Sequence, residues 1–269
     1  MKVLVAGWRD LSTVDMIGEP CFVIWLCGCN FRCPWCQNWH IVECFDCRWL
    51  DPQTVAERAA ENLGLVEYVH VTGGEPTLQD KGLLELCKAL KEKGLKVSVD
   101  TNGSRPEVLE RILPYLNHMA IDIKAPLSEP DKYARAIGLP LEIVESYEIP
   151  AKVEKSLQVG LCNLEKVEIR LPVVPKVHEP SDVLRAAHEV EEVVGRTRFW
   201  NKAVVVLQQY VPSETVPSPF LREQPMTDAG LLQALAYKIL DETEFTQIYI
   251  RAVDSVIKIK RNSFRKESL

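Results

Sequence analysis

From residue 21 onward, short β-branched runs alternate with amphipathic helical patterns. That alternation confines the chain to parallel strands joined by crossover helices. The runs are CFVIWLCGC, EYVHVTGG, KVSVDTNG, HMAIDIKAP, VEIRLPVVP, AVVVLQQY and QIYIRAV. After the first, DPQTVAERAAENLG offers Asp51 as N-cap, Pro52 as first helical residue and Gly64 as stop, with Val55, Ala59 and Leu63 on one face. DKGLLELCKALKEKG repeats the logic, with Asp80 ahead of Leu83, Leu84, Cys87 and Leu90 and Gly94 behind. SDVLRAAHEVEEVVG and TDAGLLQALAYKILDE supply later helices by the same periodicity. Five consecutive strand-helix steps without an interdomain linker predict a barrel or partial barrel. Right-handed crossovers then put every strand's C-terminal end on one rim. YVPSETVPSPFLREQP, with four prolines in sixteen residues, predicts an irregular surface loop.

The polar stretches that break the apolar runs, CGCN, TGGEP, DTNGS and DIKAP, all fall at strand ends, so the chemistry should line the rim. Seven of the nine cysteines lie between Cys21 and Cys47. The start MKVLVAGWRDLSTVDM turns polar too soon for a signal peptide, and no window approaches a membrane span. A cytoplasmic location follows as the expectation, and there thiols serve metals or catalysis rather than disulfides. The net charge of -6 gives no footprint for general nucleic-acid binding.

Cys29, Cys33 and Cys36 are spaced C-x3-C-x2-C. Three thiolates can hold three irons of a [4Fe-4S] cubane and leave the fourth iron open, whereas structural zinc takes four protein ligands. On the cysteines alone, a zinc knuckle completed by Cys27 or His40 is the alternative. Trp35, just before the third cysteine, and Thr72-Gly73-Gly74-Glu75-Pro76 at the next strand end decide between them. With these the sequence resembles the radical S-adenosylmethionine (radical SAM) superfamily, and within it the anaerobic ribonucleoside-triphosphate reductase activating proteins, which act on glycyl-radical enzymes. STVDMIGEP, CGCNFRCPWCQN, VTGGEPTLQDKGL, GLKVSVDTNGSRPEVL, AIDIKAPL and EIRLPVVPKVH carry the likeness.

The resemblance implies an α/β fold, a partial (β/α)6 TIM-like barrel in one domain over 1–269. Its core runs from about 17 to 210, and a C-terminal loop, helix and strand fill 211–269. It implies a [4Fe-4S] cluster on Cys29, Cys33 and Cys36, and S-adenosylmethionine across the strand ends. Trp35, Gly73, Gly74, Glu75, Asp100, Thr101, Asn102, Asp122, Lys124 and Arg170 would then line the cofactor site. The glycines let the backbone approach the cofactor's amino group, Glu75 fixes their loop, and Lys124 and Arg170 are cations suited to the methionyl carboxylate. The alternative for these charges is an interior ion pair of Asp122 with Lys124 or Arg170. One electron breaks a carbon–sulfur bond, and the resulting 5'-deoxyadenosyl radical takes a hydrogen from the substrate. The implied partners are a glycyl-radical enzyme as substrate and a reduced flavodoxin- or ferredoxin-like electron donor. The same chemistry on a deazapurine precursor or on tRNA is the second reading, and a non-catalytic metal-binding protein the third.

Several residues fall outside that pattern. Cys44 and Cys47 either complete a small metal site with Cys21, Cys27 or His40 or are buried thiols. Gln37 stands where the reductase activators more often have histidine. Trp25, Trp35, Trp39 and Trp49 either fill the barrel mouth or form a docking face for a protein substrate. Cys87 and Cys162 read as packing residues, His70, His118 and His188 as structural, and His178 as a cofactor contact.

Overall fold

The structure, a computed structural model, describes residues 1–253 and 255–261. Its strands are β1 (Val3–Ser12), β2 (Cys21–Leu26), β3 (Arg48–Leu50), β4 (Tyr68–Gly73), β5 (Lys96–Thr101), β6 (His118–Asp122), β7 (Lys166–Val173), β8 (Ala203–Gln209), β9 (Gln247–Arg251) and β10 (Val256–Lys260). They form one sheet in the order β10-β9-β8-β7-β6-β5-β4-β2-β1-β3. β2 and β4 through β9 run parallel, while β1, β3 and β10 pair antiparallel at the two ends. β2 and β4 to β8 are the six strands expected of the partial barrel. The helices are α1 (Trp39–Val42), α2 (Pro52–Ala60), α3 (Asp80–Glu92), α4 (Pro106–Ile112), α5 (Pro130–Ile137), α6 (Leu141–Ser146), α7 (Ile149–Asn163), α8 (Pro180–Thr197), α9 (Pro219–Arg222) and α10 (Ala229–Glu242).

The apolar core lies between sheet and helices. Val71, Val99, Ile121, Ile169 and Leu207 on the strands share one cluster with Leu83, Leu86, Leu109, Leu157, Val190 and Leu235 on the helices. Both faces of the parallel strands are covered, which is why they read as continuous apolar runs. Asp51 caps α2 through Gln53 N at 2.9 Å, as its position before Pro52 predicts.

The barrel interior is polar. His70, Ser98, His118, Glu168, Arg170 and Arg251 are all buried. The loop between β1 and β2 plugs it: Arg170 donates to Asp15 O at 2.8 Å, Lys166 to Ile17 O at 2.8 Å, and Ile17 N to Glu168 at 3.1 Å. Met16 and Ile17 bury their side chains beside Val23 and Val206. The STVDMIGEP stretch thereby gains a physical role as the floor.

Ser98 Oγ stands 2.8 Å from Nδ1 of both His70 and His118, and its single proton lets it donate to one ring and accept from the other. Burial pushes the His118 imidazole from 6.5 down to about 3. The unfolded ring takes up a proton near 6.5 and the folded ring does not. Stability is therefore full above pH 6.5 and falls toward pH 3, by about 1.4 kcal/mol per pH unit for this one proton. Equilibrium unfolding at stepped pH should show His118→Gln removing that share of the slope; an unchanged slope would mean that His118 already ionises in the fold.

Several elements escaped the sequence reading, among them the two strands at one end of the sheet. β1 and β3 form the end of the sheet where half of each strand faces water, so Val3 and Val5 are buried while Trp8, Arg9 and Asp10 are exposed. The cysteine expectation also changes. Because β2, β1 and β3 are neighbours, Cys27 after β2 and Cys47 before β3 come within 6.5 Å at Cα and are joined by a disulfide. Cys44 is an exposed free thiol in the left-handed region, φ 59°. The pair is thus neither a metal site nor two buried thiols. Cys87 is fully buried as expected, whereas Cys162 is exposed and packs nothing.

Candidate active site

The loop carrying Cys29, Cys33 and Cys36 leaves β2 and is held on three sides. Near the end of α5, Arg32 N donates to Ile137 O at 2.8 Å and Trp35 Nε1 to Ala136 O at 2.9 Å. The chain comes so close there that a Cβ on Gly138, at φ +67°, would lie 2.0 Å from Arg32 O. After β5, Asn102 Nδ2 donates to Asn30 Oδ1 at 2.9 Å, and Asn30 Nδ2 donates to Ser104 Oγ at 2.9 Å. On the third side, Gln37 Nε2 donates to Val211 O at 2.5 Å.

The glycines of TGGEP have a structural reason of their own. A Cβ on Gly73 would stand 2.1 Å from Leu26 O, and one on Gly74 2.0 Å from Gly28 O. Only bare backbone lets this loop nest against the chain entering the cysteine loop. Glu75 is fully buried behind it and does not line the cavity. Its carboxylate accepts from Thr77 N at 3.0 Å, Thr77 Oγ1 at 2.5 Å, Thr101 Oγ1 at 2.9 Å and Asn102 N at 2.6 Å. Burial disfavours its charged form and raises its pKa, against the pull of those four donors. Glu75 is a brace joining two strand-end loops, which corrects its expected place among the cofactor contacts.

The remaining expected residues converge on one cleft, open at the strand ends. Cys29, Cys33 and Cys36 line it together with Trp35, Gly73, Gly74, Asp100, Thr101, Asn102, Asp122, Lys124 and Arg170. Sequence reasoning missed Gln208, Gln209 and Tyr210, although QQY ends its apolar run as the other site stretches do. His178 does not line the cleft: its Nδ1 accepts from Val174 N at 3.1 Å and its Nε2 reaches Lys124 O at 2.8 Å, so it steadies the DIK loop instead.

The two cations differ. Arg170 spends its guanidinium on Asp100 at 2.6 Å, Glu168 at 2.7 Å and Asp15 O at 2.8 Å. Burial opposes the charge on Asp100, yet Arg170 and His70 hold it well below the usual carboxylate range. Glu168 falls to about 2, with Arg170 and Arg251 overcoming its burial. Arg170 therefore belongs to the interior ion network. Lys124 Nζ bonds Asp122 at 2.8 Å and lies 5.0 Å from the centre of the Trp35 ring. Burial disfavours its charge, but the Asp122 carboxylate beside it keeps it above the ordinary lysine range. With three N–H donors and one such partner, Lys124 has donor capacity to spare.

Burial pushes the thiols of Cys29 and Cys33 up to about 12 and raises that of Cys36. Among the described residues no three His, Cys, Asp or Glu side chains are drawn together tightly enough to hold a metal ion. Metal binding releases the protons of such thiols as the site forms. The donor set fits a cluster with one open iron: three cysteines from one short loop face one cleft.

Comparison with known proteins agrees with this site. A model of the Radical SAM superfamily matches residues 23–152. A candidate glycyl-radical enzyme activating enzyme of Methanocaldococcus jannaschii is 31% identical, covering 96% of this chain and 100% of its own. The 7-carboxy-7-deazaguanine synthase of Thermococcus kodakarensis is 30% identical over 63% of this chain and 80% of its own. A solved structure of TYW1 with a lysine-pyruvate adduct superposes with a TM-score of 0.60 at 19% identity, covering 89% of this chain and 79% of that one. The partial barrel, the cysteine loop and this likeness together make the chain a member of the radical SAM superfamily. It is a radical SAM enzyme whose cofactors are a [4Fe-4S] cluster and S-adenosylmethionine. Among the described residues no helix is long and apolar enough to cross a membrane.

Proposed function

We propose that the chain is an activase that removes a hydrogen from a glycine Cα of a partner glycyl-radical enzyme. The observation that carries this reading is the match to the M. jannaschii protein over its whole length. When bound, the cluster and S-adenosylmethionine supply one-electron cleavage of the cofactor and a 5'-deoxyadenosyl radical. Cys29, Cys33 and Cys36 would hold the cluster. Gly73 and Gly74 would turn carbonyls toward the cofactor's amino group, and Lys124 would meet its carboxylate. Trp35, anchored on Ala136 O, would orient the adenine. Asp100, fixed by Thr72 at 3.0 Å and by Arg170, keeps an ionised acceptor at the cleft wall.

The T. kodakarensis relative favours a second reading, the same chemistry on a deazapurine precursor. One experiment separates the two. The reconstituted, reduced enzyme is mixed with a candidate glycyl-radical enzyme from the same organism, and the electron paramagnetic resonance spectrum is recorded. A glycine-centred doublet that collapses on deuteration of the glycine Cα, formed in stoichiometric amounts, is the expected result. Absence of the doublet with multiple-turnover conversion of a nucleoside precursor would replace it with the second reading.

A further inference from the structure

The proline-rich segment 211–226 has no part in the account above. Its ends are joined at the base: Thr227 N donates to Tyr210 O at 3.0 Å, Tyr210 N to Thr227 Oγ1 at 3.1 Å, and Gln209 Nε2 to Thr227 O at 2.7 Å. Its own centre, Val216 and Leu221 with Tyr210 and Val174, is buried, and Trp35 of the cysteine loop packs against it. A surface excursion with joined ends and an internal core is an Ω-loop, a kind of loop that is often functional. The four prolines do not exclude one helical turn, α9, which begins at Pro219 under a Ser218 cap.

Both next to its base and further along, the loop is tied directly to the cysteine loop. Gln37 Nε2 donates to Val211 O at 2.5 Å, Thr215 Oγ1 to Gln37 O at 2.5 Å, and Ser218 N to Pro34 O at 3.2 Å. Gln37 thus uses both its side chain and its main chain on one partner. Gln37 and Tyr210 line the same cleft as Cys29 and Lys124.

We propose that Gln37 is a positioning residue that clasps the 211–226 loop against the cleft, so that this loop governs access to the cluster and cofactor. The base is joined by buried hydrogen bonds, whereas Gln37 holds the loop through hydrogen bonds at the surface, each of modest net strength in water, beside the apolar contact of Trp35. Such a loop swings at the clasp while its base holds. The proposal deepens the radical SAM reading of the site and is independent of which substrate enters.

The test uses the cluster-loaded protein and two readouts that need no substrate. The first is the rate of tryptic cleavage after Arg222, which is exposed in α9. The second is the rate at which an iron chelator strips the cluster. Gln37→Ala should speed both by roughly 2- to 10-fold, the net value of one hydrogen bond. Gln37→Ala with Thr215→Val should speed both further, and Gln37→His, which keeps an N–H donor, should return both toward the parent rates. Unchanged cleavage after Arg222 in the double variant would show that Gln37 does not hold the loop. Faster cleavage with unchanged chelation would show that the loop, though loosened, does not guard the cleft. Either result overturns the proposal. Failure of the glycyl-radical experiment would leave both rates, and hence this test, untouched.

Discussion

Cys29→Ala, Cys33→Ala and Cys36→Ala proteins, each reconstituted anaerobically with iron and sulfide, are expected to retain no stable four-iron cluster and to form no 5'-deoxyadenosine. The three thiols face one cleft, and no fourth thiol of the loop stands in reserve: Cys27 is bonded to Cys47. Loss of one ligand exposes a second iron, and the cluster then has too few protein bonds to persist. The control is Cys87→Ala, on the buried face of α3 and away from the cleft, which should lose a little stability and keep full cofactor cleavage. Iron and sulfide analysis with product chromatography reads both. A four-iron cluster surviving in any of the first three would remove the assignment of these ligands.

The second large effect is expected at Glu75. Alanine there strands the donors of Thr77, Thr101 and Asn102 in a fully buried space. A buried network that loses its acceptor costs about 3–5 kcal/mol, a fall in Tm on the order of 10 °C for a chain of this size. Glu75→Gln keeps the shape but turns an NH2 group toward N–H and O–H donors, so it should cost about 1–3 kcal/mol. Cluster incorporation should fall with stability, since Asn102 links Glu75 to Asn30 of the cysteine loop. Calorimetry showing both variants within 1 °C of the parent would refute the bracing role.

The fold was legible because its parallel strands are buried on both faces and read as unbroken apolar runs, with helix caps such as Asp51 between them. The expected cleft residues were legible because each polar stretch interrupts an apolar run at the same end of its strand. What stayed hidden depends on contacts distant in sequence. Arg170 looks like a rim cation, but the carboxylates of Glu168 and Asp100 lie beside it and claim its charge. Glu75 looks like a cleft residue, yet the hydroxyl of Thr101 from the next strand turns it inward. Cys47 pairs with Cys27 only because β1 brings the two flanking strands together. Spacing along a chain cannot show which of two neighbours a charge or a thiol will choose.

The plugged floor divides the molecule into a fixed half and an adaptable half. Asp15 O accepts from arginines on two strands, Arg170 and Arg251, so the bottom of the barrel is set by charge-assisted hydrogen bonds to the main chain. Whatever enters the cleft at the strand ends meets the mouth segments first. Selectivity is therefore free to change by exchanging mouth segments, with no penalty to the scaffold that holds the reactive centre. That separation explains in physical terms how chains named for glycyl-radical activation and for deazaguanine synthesis can both resemble this one.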